Sequence, residues 1–426
     1  MNKPLCYISC PIDSYSGYGQ RSRDFVRALY NLKKDEWEIR VLSQRWGATP
    51  WGYLEDNIDD WGWILDKVDL GLGLNVPRQP DYWFMITVPN EFTPLGKIYN
   101  VGVTAGVETD ICDPSLIEGI NKMNLTLVSS EFAKSTFTNS VFKEKSSGKP
   151  LQLEKPVEVL FEGLDLSKYF YINPKDYPKT DLTTELNSIK EDFCFLFVGH
   201  WLQGELGHDR KNVGYMLKSF LTTFRNVKTK PALIIKTAVG GSSIMDRDEI
   251  EKRIQKIRKE VKGDMPSIYL LHGELEDKDI NLLYNHSKVK AMVSLTKGEG
   301  FGRPLLEFTR SKKPIAASGW SGLLDFLPKE KAYLIGGKVD KVHPSAVSKG
   351  LIIPEARWFY PDEMEVVKMW NMMYKNYATF LPLASELALE NKEKFSMDKM
   401  EEKLRELIDK NFIKISPLKL PTLKRI

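Results

Sequence analysis

The 426-residue chain is 42% hydrophobic and 28% charged, with a formal net charge of +4. That length exceeds what one hydrophobic core ordinarily serves, so two domains of common size are expected. The charge is spread along the chain, which neither requires nucleic acid as a partner nor excludes it, and no transmembrane segment is expected.

Cys6, Cys10, Cys112 and Cys194 show no CxxC pair. The opening MNKPLCYISCPI is too briefly apolar for a secretory leader and reads as a first buried strand. A reducing, cytoplasmic setting follows, the host cytoplasm for a viral chain. His200, His208, His272, His286 and His343 lack metal-ligand spacing, so neither a protein-built metal site nor a cofactor is expected. Trp46, Trp51, Trp61, Trp63 and Trp83 read first as packing and second as the lining of an acceptor cleft.

In the first half, strands are expected at LCYIS, EIRVLS, YWFMITV, YNVGVTA, LTLVSS and VEVLFEG, with helices over residues 20–33, 114–122 and 131–139. Between the first strand and first helix, SYSGYGQRSRD places Gly17 and Gly19 at an amide-rich helix start, either a phosphate contact or a plain strand-to-helix turn. Glu108 follows a strand end in VGVTAGVETD. Residues 168–192 turn polar and include Pro174 and Pro178, the composition of a connector, so the domain boundary is set near Tyr171.

The second half resumes the alternation with FCFLFVG, ALIIKTAV, SIYLLHG, AMVSLT, PIAAS and AYLIGG, separated by helices such as 213–224 and 248–262. An α/β architecture of two parallel-sheet domains facing a cleft is the expected fold class, with ligands beyond the carboxyl ends of the strands. Arg210, Lys211 and Asn212 fall at a helix start, where cations beside free amides suit a diphosphate. Lys236 ends the strand LIIK and reads as a lower-ranked phosphate or sugar contact.

Residues 297–307, KGEGFGRPLLE, carry the densest signal. Glu299 and Glu307 bracket a turn containing Gly300 and Gly302, with Phe301 between them, Arg303 next and Pro304 in the first helical turn. Glycine admits a sharp turn and close approach of a ligand, and two carboxylates at different depths suit vicinal hydroxyls. Read alone, a turn with two solvated glutamates is the plainer alternative. Here charge, glycine and proline positions agree on a ligand.

This pattern resembles the E-x7-E signature of retaining glycosyltransferases of the GT-B fold, in the GT4 group (glycosyl transferases group 1). The resemblance implies that Glu299 contacts donor-sugar hydroxyls, that Glu307 holds the ribose, and that amides of Phe301 and Gly302 face the donor. The RKN triplet is similar to the family's, which implies phosphate contact by Lys211, with Arg210 or Arg303 as a second cation. His200 stands where many relatives have an arginine. Gly17 and Gly19 match a GG-x-G segment near donor and acceptor, and Glu108 loosely matches an acceptor-side residue. VSSEFAKSTF and VLFEGLDLSKYF resemble two further signatures that are mainly structural, so Glu162, Gly163 and Asp165 are assigned to packing and turn formation.

The resemblance covers nearly the whole chain and implies a division into residues 1–170 on the acceptor side, 171–395 on the donor side, and a terminal helix and tail, 396–426, crossing back to the first domain. The implied activity is metal-independent, retaining transfer from a UDP- or GDP-type nucleotide sugar. The acceptor stays open among glycan, lipid-linked sugar, protein and modified DNA base. A catalytically silent nucleotide-sugar-binding or scaffold protein is the competing reading.

Overall fold

Runs such as Leu5–Cys10, buried at every position, have the unbroken apolar character of strands covered on both faces, and they form parallel sheets. The computed structural model describes residues 3–47, 49–69, 78–143, 148–202 and 206–412. In chain order the first strands are β1 (Leu5–Cys10), β2 (Glu38–Ser43), β3 (Val68–Asp69), β4 (Tyr82–Ile86), β5 (Tyr99–Thr104), β6 (Leu125–Val128), β7 (Phe142–Lys143), β8 (Pro150–Leu151) and β9 (Val157–Val159). Seven of them make one parallel sheet in the order β3-β2-β1-β4-β5-β6-β9, and β7 and β8 pair apart from it.

The second parallel sheet contains β10 (Cys194–Val198), β11 (Ala232–Lys236), β12 (Ile268–Leu271), β13 (Val289–Ser294), β14 (Ile315–Ser318) and β15 (Tyr333–Ile335). Its order, β12-β11-β10-β13-β14-β15, reverses direction beside β10 and β13. That switch point puts the loops after those two strands at a shared crevice.

Helix starts follow capping chemistry. Ser16 accepts from Gly19 N and begins Gly17–Lys33, earlier than residue 20 as expected. Ser243 caps Ile244–Glu260 in the same way, four residues ahead of the expected start. The polar connector also holds a helix, Asp181–Ser188, closed by a Thr180–Thr183 capping box. A further pair, β16 (Gly337–Lys341) and β17 (Arg357–Pro361), forms an antiparallel hairpin that the sequence reading does not anticipate.

The C-terminal region divides into helices Glu363–Lys375, Tyr377–Phe395 and Met397–Asn411. Leu387 of the second belongs to a core of the second sheet, whereas Met400, Leu404, Leu407 and Ile408 of the third are buried with Ile8, Phe25 and Val41 of the first. The chain therefore crosses back at Ser396. A Cβ at Gly163 would lie 3.0 Å from Met397 Cα, so glycine permits the crossing. The basic tail, 413–426, lies outside the described residues.

Candidate active site

After β13 the chain turns through Gly298–Gly302 into the helix Arg303–Thr309. Gly302 has φ +102°, a left-handed conformation that favours glycine. Phe301 is only 3% exposed, and its ring packs 5.1 Å from that of Phe326. Its side chain thus anchors the turn in the core, and only its backbone can serve a ligand.

The expected neighbour of the turn glycines was a ligand, but Gly298 and Gly300 instead meet the first domain. A Cβ on Gly298 would sit 2.1 Å from Glu108 O, and one on Gly300 2.5 Å from Ala105 O. Ser129 and Ser130, in the VSSEFAKSTF segment, donate to Gly300 O at 3.1 and 2.6 Å. The two halves touch backbone to backbone here.

Glu299 sits in this seam. Lys211 Nζ lies 2.6 Å from Glu299 Oε1, and Arg210 Nη1 lies 3.2 Å from Oε2. Arg210 also donates to Gly298 O at 2.7 Å and reaches Glu108 Oε1 at 3.4 Å. The network therefore joins both domains. Burial alone would raise the Glu299 pKa, but the charges of Lys211 and Arg210 hold it at about 2. Burial lowers the Lys211 pKa, with Glu299 opposing.

Local structure aims the two cations. Asp209 Oδ2 accepts from Val213 N at 2.9 Å, capping Val213–Phe224, and Asn212 takes φ 56°. Lys297 N donates to Arg210 O at 2.8 Å, tying this loop to the glycine turn.

A second network lies around Glu307. Arg303, one helical turn earlier, donates to Glu307 Oε1 at 2.8 Å and to Asp24 Oδ2 of the first domain at 2.5 Å. Glu162 Oε2 is 4.0 Å from the same guanidinium, and Tyr284 Oη is 3.5 Å from Glu307 Oε2. Burial raises the Glu307 pKa to about 7 despite Arg303. Arg303 is shared among three carboxylates, so its attraction to any one is diluted. Burial opposes its charge too, but Asp24 and Glu307 hold it protonated. The Glu162 pKa is raised by burial, and the charges of both Arg303 and Glu299 act on it.

Lys236 ends β11 and donates to Gly273 O at 2.7 Å. His200 follows β10, and desolvation and the Lys211 and Lys236 charges lower its pKa. Gly19 would clash with Ser14 O through a Cβ at 2.1 Å, whereas nothing lies within 4 Å of one on Gly17. Gly19 is required by packing, and Gly17 leaves open space at the helix start.

The structure thus joins Glu108, Arg210, Lys211 and Glu299 in direct contact, with His200 within electrostatic range of both Lys211 and Lys236. Glu307 and Arg303 form a separate network with Asp24. Asp24, Ser321, which accepts from Glu299 N at 3.0 Å, and Tyr284 escaped sequence reading. Asp24 closes the quoted SYSGYGQRSRD segment, but its partner is 279 positions away.

Among the described residues no group of three or more His, Cys, Asp or Glu is placed to hold a metal ion, and no helix is long and apolar enough to cross a membrane.

No protein-family model matches the sequence, and no curated protein matches it. Solved structures do match it in fold. HepE of Anabaena, solved with UDP and glucose, aligns with a TM-score of 0.62 at 11% identity over 95% of this chain and 99% of that one. A glycosyltransferase of Rickettsia africae aligns at 0.61 with 13% identity, covering 97% and 100%. Sucrose-phosphate synthase of Thermosynechococcus elongatus aligns at 0.60 with 12% identity, covering 96% and 98%. The two-sheet architecture is therefore the GT-B fold.

Proposed function

From that fold and the charged seam within it, we propose that the chain is a retaining, metal-independent glycosyltransferase of the GT4 type that uses a nucleoside-diphosphate sugar. The observation that carries the reading is the Lys211–Glu299 pair, 2.6 Å apart, facing Glu108 across the interdomain seam. HepE was solved with UDP-glucose as well as with UDP, which makes UDP-glucose the first donor to test.

In the reaction a nucleoside diphosphate leaves the anomeric carbon. Positive charge grows on the sugar ring and negative charge on the departing phosphate. Stabilisation is most effective where charge develops. Lys211 and Arg210 neutralise the diphosphate, and Lys236 adds to the same field. Glu299, ionised at neutral pH, accepts hydrogen bonds from donor-sugar hydroxyls once Lys211 turns toward phosphate. Glu307 holds the ribose hydroxyls. Glu299 orients the sugar and is not the nucleophile. Displacement occurs on the donor's front face, with the leaving phosphate assisting deprotonation of the acceptor hydroxyl.

The domains part to admit the donor and close upon it, since Gly298 and Glu108 leave no room between their backbones. Closure excludes water and limits hydrolysis. In this reading residues 1–170 are the acceptor side, residues 171–395 the donor side, and the helix beyond crosses back.

Thermal-shift measurements against UDP-glucose, UDP-galactose, UDP-N-acetylglucosamine and GDP-mannose test it, because a ligand of the native state raises the melting point. At least one donor is expected to do so and to be slowly hydrolysed. Binding without hydrolysis or transfer favours the silent-binder reading, and no binding by any of the four contradicts both.

A further inference from the structure

Away from the charged seam, the connector between the domains meets the short helix Ile58–Trp61 of the first domain and the helix Asp277–Asn285 of the second around a cavity of about 780 Å³. Ile172 N donates to Asn285 Oδ1 at 2.9 Å, Asn285 Nδ2 to Phe170 O at 3.0 Å, and Tyr177 Oη to Leu282 O at 2.7 Å. These bonds fix the connector backbone on the second helix, yet Phe170 and Tyr171 remain 45% and 41% exposed. Adjacent aromatic side chains held in solvent by a fixed backbone form a preorganised contact surface.

The wall of the cavity is acidic. It carries five carboxylates and two ammonium groups, and both cations are already engaged: Lys168 Nζ lies 2.6 Å from Asp277 Oδ2 and Lys278 Nζ 2.7 Å from Glu276 Oε2. Asp60, Asp176 and Asp279 make no ion pair among the described residues, and Arg27 reaches Asp60 at its backbone oxygen, 3.2 Å away.

Asn281 lines the same cavity and is 2% exposed. Its Oδ1 accepts from Phe170 N and Asn285 Nδ2, whereas its Nδ2 has no acceptor among the described residues. That nitrogen is not sealed from solvent, so it opens on the cavity the residue lines. A nearly buried amide donor without a partner is costly to leave and calls for an acceptor from outside.

Three unpaired carboxylates repel a nucleotide or any other anion. Among the described residues no group of His, Cys, Asp or Glu is placed to hold a metal ion. A polyamine satisfies the carboxylates but brings no acceptor to Asn281 Nδ2. An arginine-bearing peptide supplies every complement: a guanidinium fork for carboxylates, an aliphatic stem and planar head for an aromatic face, and a backbone carbonyl for the amide. Lys312 Nζ already stands 4.4 Å from the Tyr171 ring centroid, while Phe170 makes no ring or cation contact among the described residues. We propose that this cavity is the docking site for an arginine-bearing peptide segment of a partner protein, received by Phe170, Asn281 and the carboxylates of Asp60, Asp176 and Asp279. This docking site is independent of the glycosyl-transfer reading.

The test titrates hexaarginine amide into the full chain by calorimetry, with spermine as the cation that lacks carbonyls. Asp60→Asn, Asp176→Asn and Asp279→Asn are combined in one variant, and Phe170→Ala is made separately. Asp248→Asn, Glu251→Gln and Glu260→Gln, combined on the remote helix Ile244–Glu260, match the change in net charge. Circular dichroism checks the fold of each variant. The peptide is expected to bind the wild type, to lose at least about tenfold in affinity in the first variant and at least about threefold in Phe170→Ala, and to stay within about twofold in the remote one. Spermine is expected to bind at least about tenfold more weakly than the peptide.

Failure of the peptide to bind overturns the proposal, as does equal weakening by the cavity and remote variants, which marks non-specific attraction. Spermine binding as tightly as the peptide replaces the peptide with a small polycation and overturns the assignment. Should the triple variant fail to fold, full affinity in Phe170→Ala is sufficient to overturn it.

Discussion

Lys211 Nζ lies 2.6 Å from Glu299 Oε1, and each group keeps the other ionised in a seam where neither is well solvated. Arg210 adds a second cation to the same carboxylate at 3.2 Å. The pair is a charge store between two domains, ready to be divided between a phosphate and a sugar hydroxyl.

Removing either partner is expected to weaken catalysis more than folding. Glu299→Gln and Lys211→Ala should each lower kcat by about 10²–10³-fold, or about 2.7–4 kcal/mol, the cost of losing one preorganised stabilising group. Lys211→Ala should also weaken nucleotide affinity, whereas Glu299→Gln should affect nucleotide alone much less. Steady-state kinetics with the donor found by thermal shift, alongside calorimetry with free UDP, separates the two effects.

The two glutamates give opposite pH signatures. Glu299 titrates at about 2 in the folded chain, below its unfolded value of roughly 4.3. Its stabilising contribution is therefore complete above the unfolded value and disappears as pH falls toward 2. Glu307 titrates at about 7, above its unfolded value, so stability associated with it is greatest below about pH 4.3 and is lost as pH rises through 7. Melting curves from pH 5 to 8 should show a decline that Glu307→Gln flattens and Glu299→Gln leaves in place.

Gly298→Ala tests the contact of the two backbones. The added Cβ would meet Glu108 O at 2.1 Å, a separation that requires the domains to part. Small-angle scattering should show a larger radius of gyration, and turnover should fall while far-ultraviolet circular dichroism is preserved. An unchanged radius with full turnover contradicts the closed seam as the reactive arrangement.

Two interdomain ion pairs should differ in weight. Asp24 and Arg303 are 7% and 15% exposed at the side chain and 2.5 Å apart, so Asp24→Ala removes one charged hydrogen bond from a buried guanidinium that keeps Glu307 and should cost about 1.5–3 kcal/mol. Arg357 is 57% exposed where it meets Asp110 at 2.8 Å, so Asp110→Ala should cost about 0–1 kcal/mol. Chemical denaturation of both variants measures the contrast.

The parallel sheets were legible because LCYIS, FCFLFVG and AMVSLT are continuous apolar runs, the mark of strands buried on both faces. β16 was not: all five of its residues are exposed, so no alternation marks it, and its partner lies beyond an excursion of the chain. Glu299, Glu307 and Lys211 stood out through spacing within short segments. Asp24 and Glu162 did not, because their partner Arg303 is remote in sequence and ordinary helix and loop carboxylates look the same. The glycines of the turn were conspicuous, but their neighbours Glu108 and Ala105 come from the other domain, and no local pattern names them.

Calorimetric titration of UDP-glucose and GDP-mannose into the wild type, Lys211→Ala and Glu299→Gln tests the central claim most directly. Saturable binding of at least one donor to the wild type is expected, with affinity reduced at least about tenfold by Lys211→Ala and discrimination between nucleotide sugar and free nucleotide lost in Glu299→Gln. Donor binding of equal strength in all three proteins would contradict it.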